Sequence, residues 1–189
     1  MRIVGGKFKG RSLVTPAGRH TRPTSDRARE AIFNVLAHAE WAPPIEGARV
    51  MDIFAGSGAL GLEALSRGAE FCLFVEMATP ALRAIGDNVD AFNLTDVTRL
   101  RRRSADALGD FPEVLGEPFN LVFMDPPYGK GLVLPALTAL SKGGWLTQDA
   151  VVMVEMGKGE PFEEDGWCIE DQRGYGAACV RFIRPLADV

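Results

Sequence analysis

Between residues 49 and 155, short strand-like runs alternate with segments in which apolar residues recur at helical spacing. Runs at 49–54, 71–76, 97–102, 119–125 and 150–155 predict strands, and segments 60–67, 80–92 and 132–141 predict helices. A weaker helical turn is expected over 105–108. Strand–helix alternation of this kind builds a parallel sheet covered by crossover helices. The last part of the chain changes character: 167–171 and 178–184 read as two strands joined by the turn 172–176, an antiparallel hairpin closing one sheet edge. The resulting fold class is α/β, a nucleotide-type sheet of seven mostly parallel strands. Ahead of it lies another helical pattern. Pro23 precedes it, Thr24 is placed to cap it, and Asp26 sits at the positive end of its dipole. Ala28, Ala31, Ile32, Val35, Leu36 and Ala39 then share one face, with Arg27, Arg29, Glu30 and Asn34 on the others. Trp41-Ala42-Pro43-Pro44 ends this helix. No internal repeat is visible.

At 189 residues the chain can bury a core as one domain with a short appendage, so we divide it into 1–46 and a body at 47–189. No run of about 18 apolar residues exists to cross a membrane, and the N-terminus lacks the apolar core of a signal peptide. Cys72, Cys168 and Cys179 are scattered; Cys72 and Cys179 read as small buried hydrophobes rather than a disulfide or zinc framework. A reduced, cytoplasmic, metal-free enzyme is expected. The net charge of −4 conceals an asymmetry: residues 1–30 hold eight Lys/Arg against two acids, while the remainder holds 13 against 23. A basic arm on an acidic body is the footprint of a polyanion binder, and Arg2, Lys7, Lys9, Arg11, Arg19, Arg22 and Arg27 are its candidate RNA contacts. A solvated tail without a partner is the plainer alternative. Glycines and prolines punctuate the arm (Gly5-Gly6, Gly10, Pro16, Gly18, Pro23), so a small hairpin or ordered arm is expected.

Two loops carry candidate chemistry. The stretch Met124-Asp125-Pro126-Pro127-Tyr128-Gly129 directly follows the apolar run 119–123, which places the Asp-Pro-Pro-Tyr turn at the carboxyl end of a buried strand, where ligands bind in open α/β sheets. A carboxylate, a stiffened backbone with exposed carbonyls and an aromatic ring suit gripping a planar base by its exocyclic amine. A proline-rich strand-to-helix loop is the alternative. The second loop begins at Asp52, with Phe54, Ala55, Gly56, Ser57, Gly58 and Gly61 forming a glycine turn between a strand and a helix. Gly56, Gly58 and Gly61 match the dinucleotide fingerprint, and Glu76 ends the next strand where a ribose-binding acid belongs, so an NAD-dependent oxidoreductase is a competitor. Asp52 argues against a pyrophosphate at that turn and for S-adenosylmethionine, whose ammonium and sulfonium groups are cationic. A structural carboxylate capping the glycine loop remains open for Asp52. Ser104-Ala105-Asp106 supplies a further carboxylate for an adenine amine, or a simple helix cap.

The segments Arg2-Ile3-Val4-Gly5-Gly6, Lys9-Gly10-Arg11, 21–27 and 29–34 resemble the opening of the bacterial RsmD methyltransferases. Residues 52–58 and 125–128 look like that family's cofactor and catalytic motifs, so the resemblance covers nearly the whole chain. It implies a class I, Rossmann-like methyltransferase that moves a methyl group from S-adenosylmethionine to the exocyclic N2 of one guanine in 16S ribosomal RNA. An assembled or assembling small subunit is the implied substrate, and a monomer the expected state. The candidate catalytic residues are then Asp125, Pro126, Pro127 and Tyr128. The candidate cofactor contacts are Asp52, Phe54, Ala55, Gly56, Ser57, Gly58, Glu76, Met77, Ser104, Ala105, Asp106 and Asp125. No general base stands out: His20 lies in the arm and His38 near the end of the first helix. DNA adenine-N6 or protein-glutamine methylation, and a silent RNA-binding assembly factor, are the alternative readings.

Overall fold

A computed structural model describes residues 1–16, 25–162 and 165–186 of the chain. Seven strands form one sheet: β1 (Arg49–Ile53), β2 (Phe71–Val75), β3 (Thr98–Arg101), β4 (Phe119–Met124), β5 (Leu146–Gly157), β6 (Trp167–Tyr175) and β7 (Ala178–Pro185). Their order is β3-β2-β1-β4-β5-β7-β6. The first five are parallel, and β7 lies antiparallel between β5 and the edge strand β6. Among the described residues, four α-helices accompany them: α1 (Asp26–His38), α2 (Ala59–Ser66), α3 (Thr79–Ala91) and α4 (Val133–Lys142).

Both sheet faces are covered, which is why the central strands are hydrophobic at nearly every position. Val50, Phe74, Leu121, Phe123, Val151 and Phe182 enter one core cluster with residues of α1, α2 and α3. Their alternating neighbours Met51, Leu73, Val122, Val152 and Ile183 enter the other, with Leu137, Leu140 and Trp145. On the first face α2 lies very close to the sheet. A Cβ on Gly61 would stand 2.5 Å from Phe74 Cε1 and 2.6 Å from Cys72 Sγ, so only glycine lets this helix settle. Gly61→Ala is therefore expected to lower stability by about 1–3 kcal/mol, the usual cost of overpacking a dense core, read as a fall in urea midpoint.

Several expectations need correction. The helical segment expected at 105–108 shortens to one hydrogen-bonded turn, closed by an Ala107 N–H donating to the Ser104 carbonyl at 3.2 Å, with Ala105 and Leu108 both buried in the core. β5 begins at Leu146, earlier than the hydrophobic pattern shows, through a pairing with Phe119 that shifts register before Leu121. The hairpin turn is shorter than expected: Tyr175 pairs with Ala178, and Gly176 supplies the left-handed φ of 64° that so tight a return requires. Ser25 caps α1, its Oγ accepting from the Ala28 N–H at 3.1 Å, while Thr24 lies outside the described residues. Cys72 is buried, but Cys179 is only half-buried and Cys168 exposed.

The described start of the basic N-terminal segment, residues 1–16, is docked on the body. An isolated bridge joins Arg2 to Ser12, with a 3-10 turn at Gly6–Phe8 between them. The Val4 N–H donates to Glu63 Oε2 at 2.8 Å and the Phe8 N–H to Ser66 Oγ at 2.9 Å, fastening the segment to α2. Gly6 lies so close to α2 that a Cβ would fall 1.9 Å from the Ser66 carbonyl oxygen. Arg29 differs from its expected exposed position: it is completely buried, because Glu63 of α2 is buried beside it. The Arg29 guanidinium donates to Asp26 Oδ1 at 2.9 Å and to the Arg2 carbonyl, and lies 3.7 Å from Glu63 Oε2. Glu63 Oε1 meets Arg67 at 2.9 Å. One buried carboxylate thus ties the N-terminal segment, α1 and α2 together. Ile3, Ile32, Phe33 and Leu36 consequently share a core cluster with the sheet.

Candidate active site

The sheet register brings the tips of four strands level. Ile53 pairs with both Val75 and Met124, and Met124 pairs with Val154. The next residue on each strand (Phe54, Glu76, Asp125 and Glu155) therefore stands at the carboxyl edge, side by side along the sheet. Strand order reverses between β1 and β4, and the crevice at such a switch point is where open α/β sheets hold ligands.

The turn after β1 is held in an unusual shape. Phe54 has φ 62°, a strained value for an aromatic residue, and Gly56 and Gly58 follow at 57° and 76°. Carboxylates brace this turn from below and from the side. Asp52, 2% exposed, accepts from the Gly61 N–H at 2.9 Å and so caps the first turn of α2. The capping alternative left open by the sequence is the geometry observed. Glu76 accepts from the Gly56 N–H at 3.0 Å with one oxygen and from the Ala78 N–H at 2.8 Å with the other. Burial pushes the Asp52 carboxyl well above the usual carboxylate range, and the charges of Asp125 and Glu76 push it the same way. Two N–H groups of the turn region are thus already taken by acids, and three carboxylates converge there. A pyrophosphate placed at this turn meets like charge, whereas a cationic ligand is drawn to it.

The other predicted cofactor residues lie along the same edge or beside the turn. Ser57 is buried, and its Oγ lies 3.4 Å from Met1 Sδ. Met77 is exposed, its carbonyl accepting from Arg102 Nε at 3.2 Å. The Ser104 hydroxyl donates to the exposed Asp106 carboxylate, and Ala105 is buried.

In the loop after β4, Asp125 is half-buried, Pro126 buried, and Pro127 and Tyr128 exposed. The Tyr128 hydroxyl donates to Glu155, which is buried two residues before the end of β5. Desolvation, and then that hydrogen bond to a carboxylate, push the Tyr128 phenol well above its ordinary value. The Gly129 N–H donates to Glu160, so the loop is fixed on both sides of its tyrosine. Sequence reasoning assigned no role to Glu155. Its signal was nonetheless present, since it ends an apolar strand with an acid just as Glu76 does. Beside this loop a cleft of about 640 Å³ opens, lined by Arg27, Ala28, Tyr128, Glu155, Tyr175 and Ala178 among others.

A family model described as conserved hypothetical protein 95 matches residues 1–184. Ribosomal RNA small subunit methyltransferase D of Escherichia coli K12 is 35% identical over 186 residues, covering 97% of this chain and 89% of that protein. Its Haemophilus influenzae namesake is 31% identical, covering 97% and 93%. The chain belongs to the RsmD methyltransferase family. Among solved structures, yhhF from Escherichia coli superposes with a TM-score of 0.81 at 34% identity, covering 100% of this chain and 99% of that one.

In this RsmD-family chain the seven predicted RNA contacts divide. Arg27 is exposed at the cleft. Arg2, Lys7 and Lys9 are exposed on the docked N-terminal segment, with Arg2 paired to Asp26 at 3.2 Å and Lys7 over the Phe8 ring at 4.8 Å. Arg11 is occupied differently: it donates to the Ala91 carbonyl at 2.6 Å and stacks 4.2 Å from the Phe92 ring, anchoring the segment to the end of α3. Arg19, Arg22 and His20 lie outside the described residues.

Proposed function

We propose that this chain transfers a methyl group from S-adenosylmethionine to the exocyclic N2 of a guanine in small-subunit (16S) ribosomal RNA, acting as a monomer on an assembled or assembling subunit. The observation that carries the reading is Asp125 standing level with Phe54 and Glu76 at the switch point, on the loop whose Tyr128 lines an open cleft. Relatives named for ribosomal RNA methylation supply the substrate class. In this reading residues 1–46 present cations to the RNA and 47–189 carry the transfer.

The carboxylates fit the cofactor's charge pattern. In this reading Glu76 accepts from the ribose hydroxyls while bracing Gly56, and Asp52 and Asp125 give negative potential for the ammonium and sulfonium ends. When bound, S-adenosylmethionine supplies an electrophilic methyl group. Everything else falls to the protein. A guanine N2 is a poor nucleophile because its lone pair is delocalised into the ring. The Asp125 carboxylate and Pro126 carbonyl accept from its N–H groups, orient the lone pair, and favour the positive charge that develops on nitrogen. Tyr128 stacks on the base, which leaves its own helix to reach the cleft. The N2 proton then passes to water.

Incubating small subunits that lack the modification with methyl-tritiated S-adenosylmethionine, then mapping the label, tests the reading directly. Label in a single guanine of the small-subunit RNA is expected; label in DNA, in protein or nowhere sinks it. The raised Asp52 pKa adds a pH dependence. A cationic ligand binds the ionised carboxylate better than the neutral acid, so binding favours proton release. S-adenosylmethionine affinity should therefore rise as pH climbs from about 4 toward the raised Asp52 value, and Asp52→Asn should flatten that slope in calorimetry. The sign agrees with the fold's own linkage: ionising Asp52 costs the free protein stability as pH rises, and the cation offsets that cost.

A further inference from the structure

The chain has two tyrosines, and both line the same cleft. Tyr128 comes from the loop after β4. Tyr175 ends β6, and its place follows from topology. Because β7 runs antiparallel to β5, with Ala178 opposite Gly157, the β6–β7 turn lies at the carboxyl edge of the parallel strands. Glu155, level with Asp125, pairs with Val180 just inside that turn. The hairpin tip therefore faces the Asp-Pro-Pro-Tyr loop, and the start of α1 closes the cleft with Arg27 and Ala28.

We propose that Tyr175 on the hairpin tip is the far wall of the pocket that receives the extruded purine nucleotide, opposite Tyr128, with Arg27 at its sugar-phosphate edge. The proposal rests on the function stated above and adds to it the residues that hold the target. Three observations support it. A volume of about 640 Å³ is right for one nucleotide and too small for a segment of duplex. The near wall is rigid, since buried Glu155 fixes the Tyr128 hydroxyl and Glu160 fixes the backbone that follows. The far wall is anchored as well, since Tyr175 packs partly against the core while still lining the opening. Aromatic faces tolerate any base, so the walls supply grip, and selection of the amine falls to Asp125 and Pro126, which precede Tyr128 on the same loop. Arg27 is an exposed cation beside an acidic sheet edge, where its charge suits a phosphate brought in with the base.

The test separates a wall from a merely structural tyrosine. Tyr175→Phe keeps ring and packing, Tyr175→Leu keeps apolar packing without the ring face, and Tyr175→Ala loses both. With small subunits lacking the modification and saturating S-adenosylmethionine, Phe should stay within about threefold of the parent. Leu and Ala should both lose roughly ten- to hundredfold in kcat/KM, the worth of one base–aromatic stack. S-adenosylmethionine Kd should not move in any of them. A Leu variant with parental kcat/KM, or a parallel loss of cofactor binding, overturns the proposal. A second arm needs no turnover. Guanosine 5′-monophosphate titrated into the S-adenosylhomocysteine-loaded protein should shift the methyl resonances of Ala28 and Ala178, and shift them less in Tyr175→Leu. Shifts absent, or equal in both proteins, overturn the pocket assignment even if the methylation reading stands. Normal binding of the nucleotide without methylation of RNA keeps the pocket and sinks the reaction.

Discussion

Asp125→Ala should lose about 10²–10³ or more of the single-turnover methylation rate while S-adenosylmethionine Kd stays within a few-fold of the parent. The size follows from the cost of removing one preorganised hydrogen-bonding group that acts on developing charge. The selectivity follows from position. Asp125 is half-buried at the strand tip, next to the glycine turn, whereas that turn is braced by Glu76 and Asp52. Losing Asp125 takes away an acceptor for the amine, while the bonds from Glu76 and Asp52 to the turn and α2 remain. Rapid-quench measurement with enzyme in excess over subunits reads the chemical step alone. A variant with near-parental single-turnover rate would remove Asp125 from the reaction, and one with abolished cofactor binding would make it part of the loop's architecture.

The largest effect on stability should come from Glu63, far from any reacting atom. Glu63 and Arg29 are both fully buried, and Glu63 also accepts from the Val4 N–H and from Arg67. Glu63→Ala leaves a guanidinium in the interior and releases the N-terminal segment, at a cost of about 3–5 kcal/mol. Removing both charges at once should cost much less: in Arg29→Met with Glu63→Leu the desolvation penalty disappears with the pair. Urea midpoints of the single and double variants measure the difference. Equal losses in the two would mean that packing, not charge, makes this junction.

The parallel strands and their crossover helices were legible because burial on both faces writes itself as continuous apolar runs. The three glycines announced the turn, and Asp125 through Tyr128 announced the loop. What stayed hidden depends on contacts distant in sequence. Arg29 reads as a surface residue until Glu63, on another helix, is known to lie beneath it. Arg11 reads as a free cation until Phe92 appears under its guanidinium. Asp52 offered two readings, and only the position of the Gly61 amide shows which one the free protein adopts. Glu155 and Tyr175 join the cleft through an antiparallel register that no local pattern specifies.

β7 has a consequence for biogenesis. β7, the last of the seven described strands, is an interior strand in space, and its Val180, Phe182 and Ile183 are wholly buried. Until it arrives, the growing polypeptide carries β5 as an open, strongly apolar border that can template pairing with other chains. The sheet therefore cannot close until residues 178–185 have been made, and termination ahead of Ala178 yields an aggregation-prone product rather than a smaller working one.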